Sequence, residues 1–565
     1  MEIPRFEILS RCNDLTTEQL ALAFHRANQL LGLVLPARFQ LTFDAPQTLI
    51  FYDEKLWPVA EQQAVATMLR ANPPARPDAG LGSAAPPRVR LEPLTGSQFL
   101  GLDREPRTAA SHAFFSNLML TDADVIVTFV LVSTVTIDPQ RSYLTPAYVG
   151  NLLQNRTPGL PDWFTAGFMR LYDRMNFEAN TVTVKPLRWD TVVTRDGRAT
   201  DSEPWGDVAP KPRRAPRARR ALELGQQPLN LPQTEPGHQF GQPALTNPKD
   251  PAPERDLLLP LAGFVAGVVP ADDLDSWLTQ AELLVSWGLD PANGRVEAFW
   301  NWIDRVSTEP ATEALFQECL DLNFAAATRS IVVYSANHRG IRWVLPENLA
   351  NLPPLPLYDA SAHQIARIKG EWERLEARYV RRNQPDLEKH YLTLARRTLR
   401  KPYDRGDRDP RLLASLGLLE LEAGDQAAAR SFLEAAVQGG VVRPRAYYAL
   451  ARLRYDHLVG RSTRNDGKYT SAQTAPILLP LLAATKQTPP LSAVYELMAH
   501  VCCNLTEPPS DEVLAALAEG VRLFPGNDAL RHQVAALRAG AGEPTPNLQL
   551  LPEPHARPHS SDASH

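Results

Sequence analysis

Cysteine is scarce in this chain. Cys12, Cys319, Cys502 and Cys503 are the only four in 565 residues, too few and too scattered for a disulfide framework. They read as small buried apolar residues, and the adjacent pair Cys502–Cys503 would diverge on a helix. No charge sign dominates either. A net charge of −5 and a pI of about 6.2 speak against both a polyanion binder and an acidic solvating chain. Long apolar runs are missing too. Val125–Ile137 and Leu257–Pro270 fall short of the about 18 residues that mark a membrane-spanning helix, and Pro260 breaks the second, so no transmembrane segment is expected. The opening MEIPRFEILSRCNDL has no basic region followed by an apolar core, so no signal peptide is expected. None of the twelve histidines is followed by Glu, and G-x-x-x-x-G-K-[ST], G-x-S-x-G and paired C-x-x-C are all lacking. No phosphate loop, nucleophile elbow or H-E-x-x-H zinc helix is therefore readable.

What is present is an ordinary 44% of hydrophobic residues and 51 prolines gathered in linkers and loops. The length suggests roughly three to four domains. Tyr143–Tyr172, YLTPAYVGNLLQNRTPGLPDWFTAGFMRLY, reads as two helices around a Thr-Pro-Gly turn. Trp163, Phe164, Phe168, Leu171, Tyr172 and Met175 recur at the helical period in the second helix. Tyr148, Val149, Leu152 and Leu153 stripe the first. Thr145-Pro146 reads as an N-cap followed by proline at the first helical position, so that helix is expected to begin at about Thr145. Pro161 and Asp162 suit the start of the second.

These residues resemble the active-site helix pair of a gluzincin-type (peptidase MA-like) zinc metallopeptidase, in the branch that often precedes tetratricopeptide repeats. That pattern is His-Glu-Tyr-x-His-x-Leu-Leu, a short connection, then Leu-Pro-x-Trp-Phe-x-Glu-Gly. Here the matching stretches are PAYVGNLL from Pro146 and LPDWFTAG from Leu160. The scaffold positions match and the chemical ones do not. Pro146 and Gly150 stand at the two zinc-binding histidines, Ala147 at the general base, and Ala166 at the third ligand's glutamate. Histidines at i and i+4 share a helix face and grip zinc, while the intervening Glu polarises its water. Pro, Gly and Ala supply neither a lone pair for a metal nor a base. No catalytic residue, metal ligand or cofactor-binding residue is therefore nominated. The resemblance implies a pseudopeptidase, not an enzyme. Relatives of this kind are often exported, which sets a periplasmic location beside a cytoplasmic one.

The resulting fold class is α+β: a gluzincin-like region with a mixed sheet and helices, followed by an all-α array of tetratricopeptide type. Residues 1–190 form the degenerate α+β region. In it Arg5–Ser10, Phe39–Asp44, Thr48–Tyr52, Gln98–Leu102, Ala113–Leu118, Val125–Ile137 and Thr181–Val184 read as strands. Leu15–Leu33, capped by Thr16, and Trp57–Arg70 read as helices, and Asn72–Arg88 as loop. The resemblance implies a sheet over the first helix whose edge could bind extended peptide. Residues 191–255 are dense in Pro, Gly, Arg and Gln, and contain KPRRAPRARR at Lys211–Arg220. They read as a disordered insertion whose basic run is solvated, with a contact to nucleic acid or acidic lipid as the alternative. Residues 256–336 are helical, with Trp277, Trp287, Phe299, Trp300, Trp302 and Phe316 read as core.

Residues 337–384 read as a connector, Pro-rich and extended over Gly340–Tyr358 and helical from His363. Residues 385–541 carry the repeats, and 542–565 read as a disordered tail. Asp409-Pro410 and Arg443-Pro444 open two units 34 residues apart. Leu413 and Tyr447, Leu416 and Leu450, and Gly417 and Ala451 are equivalent positions, and Gly424 makes the turn inside the first unit. Ala429, Leu433 and Ala436 are the packing positions that follow. Ser492–Gly526 is a third unit, Gly460–Gln473 a polar interruption, and Asp386–Arg400 a half-unit that docks the array. His500-Val501-Cys502-Cys503 is the nearest metal-like cluster. Its spacing on one helix is poor for a tetrahedral site, so it reads as packing. The expected function is a non-catalytic interaction or scaffold protein whose array groove takes a protein or peptide, not nucleic acid. The alternatives are an active zinc metallopeptidase with unrecognised ligands, for which His112 is a candidate, and an unrelated activity reusing the cleft.

Overall fold

The computed structural model of the chain describes residues 2–3, 6–53, 113–114, 118–132, 142–178, 180–185, 192–193, 256–268, 274–337, 340–346, 356–383, 385–461 and 468–540. The readings at Trp57–Arg70, Asn72–Arg88, Gln98–Leu102, Lys211–Arg220 and the 542–565 tail lie outside these residues, as do residues 133–137 of Val125–Ile137.

Alternation in the first strands builds a sheet that is buried on both faces. The strands β1 (Glu2–Ile3), β2 (Phe6–Ser10), β3 (Gln47–Asp53), β5 (Leu118–Asp122) and β6 (Val125–Val132) lie in the order β1-β2-β3-β6-β5. β3 is parallel to both β2 and β6, and β5 returns antiparallel to β6. The parallel step from β2 to β3 needs a crossover, and α1 (Asp14–Val34) supplies it. Side chains two apart share a face. Leu49, Phe51, Ile126 and Val130 accordingly face α1, where Leu20, Phe24, Leu30 and Leu31 complete the main core. Ile50, Leu120, Val127 and Phe129 face the opposite way.

Three local expectations change. The cap of α1 is Asn13, not Thr16: Asn13 has extended backbone and its side chain accepts the Thr16 N–H at 2.8 Å, whereas Thr16 is already inside the helix. Phe39–Asp44 is not a strand. Ala37–Phe39 is a single 3-10 turn, and burial of Phe39 against Trp300, with centroids 4.5 Å apart, replaces strand pairing. Ala113–Leu118 divides, because β4 (Ala113–Phe114) pairs in parallel with β7 (Ser142–Tyr143) while Leu118 opens β5.

The helix pair follows as α2 (Pro146–Gln154) and α3 (Asp162–Asp173). β8 (Met175–Glu178) and β9 (Thr181–Val184) form a hairpin extended by β12 (Ile341–Val344). β12 lies inside the stretch read as merely extended; Ile341 and Trp343 alternate inward and pair with β9, which makes it a sheet strand. β10 (Val192–Val193) pairs in parallel with β11 (Asp256–Leu257). Five helices, α4 (Leu261–Val265), α5 (Leu274–Leu289), α6 (Val296–Val306), α7 (Glu313–Leu320) and α8 (Phe324–Asn337), complete this half. All six aromatics read as core are buried there, and Trp163 of α3 stacks on Trp302 at 5.3 Å.

The second half is helical: α9 (Ala362–Asn383), α10 (Glu388–Asp404), α11 (Pro410–Glu422), α12 (Gln426–Gln438), α13 (Pro444–Arg461), α14 (Ser471–Thr485), α15 (Ser492–Cys503), α16 (Asp511–Leu523) and α17 (Asp528–Gly540). Successive helices pack in pairs, α9 with α10, α11 with α12 and α13 with α14. The segment read as a half-unit is therefore the second member of a full pair, and its partner α9 lies in the segment read as a connector. Pro410 and Pro444 both open helices, and Gly424 turns between α11 and α12 with φ +86°. Small residues set the approach between paired helices: a Cβ on Gly417 would fall 2.6 Å from Leu433, and one on Gly520 would fall 2.4 Å from Tyr495. Among the described residues no helix is long and apolar enough to cross a membrane.

Candidate functional site

The helix pair is positioned by its caps and its aromatics. Thr145 caps α2 and Pro146 occupies its first turn. The Tyr148 hydroxyl, whose pKa burial pushes up, donates to Gln47 Oε1 at 3.0 Å, while Tyr172 donates to the Leu144 carbonyl at 2.6 Å. Pro146, Ala147 and Ala166 are half-buried and Gly150 is buried. None of the four offers a metal a lone pair or a substrate a base. His112 and the basic run Lys211–Arg220 lie outside the described residues, and among those described no group of three His, Cys, Asp or Glu side chains could hold a metal.

The His500–Cys503 cluster is spread by its helix. His500 Nε2 lies 2.8 Å from the Tyr455 hydroxyl, whereas Cys502 is buried in the helical core. Burial pushes the Cys502 thiol up to about 12, so it holds its proton at neutral pH. Native protein treated with iodoacetamide at pH 8 is expected to be alkylated at Cys502 far more slowly than unfolded protein. Peptide mass spectrometry reads the difference.

Chemistry is concentrated elsewhere, where the sheet meets the helices. The β5–β6 turn carries Asp122 and Asp124, whose side chains are fully buried. Arg374 of α9, also fully buried, pairs with Asp122 at 2.8 Å, Glu371 at 2.7 Å and Glu422 of α11 at 2.6 Å. Arg443 reaches Glu371 at 2.7 Å and Ser415 at 3.2 Å. The Arg445 amide donates to Asp124 at 2.8 Å, and the Arg445 and Arg378 guanidiniums both meet Asp122. Four carboxylates thus face four guanidiniums. Burial alone would raise the Glu371 carboxyl, but Arg374 and Arg443 outweigh it and hold it well below its ordinary range. At Asp124 burial wins and the carboxyl is raised. β5 is the edge strand of its sheet, and its Asp122 end is locked in this joint.

Two further contacts tie the halves together. Glu7 of β2 pairs with Arg367 at 2.5 Å and with Arg411 at 3.4 Å. The Asp44 side chain accepts from the Thr488 amide at 2.6 Å. Between the charged joint and the Asp44 contact lies a cleft of about 640 Å³. Asn155 and Thr157 of the α2–α3 turn form one wall, and Arg445, Tyr448 and Arg452 of α13 form another. Leu491 and Phe524 contribute apolar surface. The cis bonds Thr157–Pro158 and Thr488–Pro489 border it.

Fold and site together define an α+β chain whose cleft is shared by a sheet-containing half and a helical half. No family model matches it, and neither a curated protein nor a solved structure matches it.

The cleft and the joint were not found by sequence reading. The available signals were weak: two arginines flanking Pro444, and the Thr-Asp-Ala-Asp turn between two apolar strands. Such charges ordinarily belong to solvent.

Proposed function

We propose that this chain is a non-catalytic protein-interaction or scaffold protein. Its first half is read as a degenerate gluzincin-like domain and its second as a tetratricopeptide-type array. The observation that carries this reading is the split fate of one pattern. Trp163, Phe164 and Gly167, its scaffold residues, are buried in the core, while its chemical positions hold Pro146, Ala147, Gly150 and Ala166. The stacked helix pairs, with glycines at their closest approaches, support the array reading. Such arrays present grooves to peptides, and a protein or peptide partner follows from that.

Metal content tests the reading. Purified protein dialysed without chelator is expected to carry far less than one zinc per chain; stoichiometric zinc that survives dialysis would favour an active metallopeptidase and overturn it. Restoring the pattern with Pro146→His, Ala147→Glu, Gly150→His and Ala166→Glu together is expected to create measurable zinc affinity. A folded quadruple variant that binds none would reject the proposed correspondence with the gluzincin pattern.

A further inference from the structure

We propose that the inner face of the helical array is a receptor for an Asp-x-Asp segment, held closed in cis by the β5–β6 turn that carries Asp122 and Asp124. This rests on the reading that the array binds a protein or peptide, and it supplies both the class of partner and the contact that controls access.

The helix pairs stack so that α9, α11, α13 and α15 form one layer and their partners the other. In the first layer α9 packs on α11, α11 on α13 and α13 on α15, more extensively than α10 on α12 or α12 on α14. The layer whose members crowd together is the inner one of a curved stack, the side on which such arrays take ligands. The joint lies on that side. Glu371, Arg374 and Arg378 belong to α9, Glu422 ends α11, and Arg443 and Arg445 flank Pro444 at the start of α13.

Charge identifies the occupant. On the array alone four guanidiniums meet two carboxylates, which leaves an excess of two positive charges. Asp122 and Asp124, two residues apart on a tight turn and fully buried, supply two negative ones. Asp122 meets Arg374 at 2.8 Å and also pairs with Arg378 and Arg445. Asp124 accepts the Arg445 amide at 2.8 Å and lies 3.7 Å from Arg443. Ala123 between them lines the neighbouring cleft, so the array reads Asp-x-Asp and leaves the middle residue open.

Such a contact can be exchanged. Burying charge costs desolvation that largely offsets the attraction gained, so the turn is held near balance rather than by a large surplus. The raised carboxyl of Asp124 reflects that cost. A segment bringing the same two acids makes the same pairs. It has to outcompete a turn whose tether gives an effective concentration on the order of millimolar.

The test uses the full chain and a glycine-flanked Thr-Asp-Ala-Asp peptide, paired with its Thr-Asn-Ala-Asn counterpart. Asp122→Asn combined with Asp124→Asn removes the acids of the turn. That variant is expected to bind the acidic peptide about tenfold more tightly than wild type does, and to melt at a higher temperature in its presence. The Asn peptide should do neither. If the double variant does not fold, Asp124→Asn alone takes its place, since its side-chain oxygen can still accept the Arg445 amide; a smaller gain of the same sign is expected. Wild type supplies the second measurement: a large excess of acidic peptide should speed hydrogen exchange at the amides of residues 123–125. Equal binding of the two peptides, no gain in a folded variant, or exchange at the turn unchanged by excess peptide would each overturn the proposal. Stoichiometric zinc with cleavage of the peptide would overturn the underlying reading instead.

Discussion

Arg374→Met is expected to lower the stability of the whole chain by about 3–5 kcal/mol, measured by urea unfolding at pH 7. The magnitude follows from what is left behind. Arg374 is fully buried and serves three carboxylates, each with no more than a tenth of its side chain exposed. Removing the guanidinium strands negative charge where water cannot reach it. Glu371→Gln gives the same joint a pH signature. The Glu371 carboxyl lies well below its ordinary 4.5 in the folded protein, so its ionised form stabilises above that value. That contribution is lost as pH falls through the depressed folded value. The stability gap between wild type and Glu371→Gln should therefore be widest near neutrality and narrow in acid. A gap independent of pH between 7 and 3 would show that the Arg374 and Arg443 pairings do not govern this carboxyl. Asp124 acts with the opposite sign, since its raised carboxyl relieves a burial cost on protonation, and so softens the wild-type acid response.

Gly167→Val is the second large effect, with an expected loss of about 3 kcal/mol. A Cβ at this position would lie 2.3 Å from the Ala281 carbonyl oxygen and 2.9 Å from Val285, so α3 and α5 would have to separate. The nearest obstacle is backbone, which cannot rotate away as a side chain can. Thermal melts should show the loss together with weakened near-ultraviolet dichroism from the tryptophan cluster around Trp163. Gly32→Ala supplies the contrast. It lies within α1 with nothing within 4 Å of its Cβ, and a gain of about 0.5–1 kcal/mol is expected there. If Gly167→Val melted like wild type, the close approach of α3 and α5 would be refuted.

Much of the fold was legible because it is written in period and punctuation. The α3 stripe from Trp163 to Tyr172, the Pro410 and Pro444 helix starts and the Gly424 turn each follow from local stereochemistry and lie where the sequence puts them, whereas Met175, read with that stripe, lies past the helix end at Asp173 and opens β8. Phe39–Asp44 misled because one buried ring decides that segment rather than alternation. The Ile341–Val344 strand was hidden by prolines downstream of it. The joint was illegible for a different reason. On α9, EWERLEARYVRR has the composition of a solvated helix, and only the acids of a turn far back in the chain make Arg374 a buried residue. Pro146, Ala147, Gly150 and Ala166 could be picked out in the sequence, but the cleft depends on how the two halves dock.

That docking bears on how the protein is made. α9 lays Ile368, Trp372 and Leu375 on the outer face of the sheet, while Ala377, farther along it, joins the core of the helical half. A ribosome finishes β6 long before it reaches α9, so a nascent chain makes these strands well before the helix that packs against Ile50 and Val127. Such a chain has a built-in interval of stickiness, and a chaperone that shields apolar β-surface during translation should matter more to its yield than to its final stability.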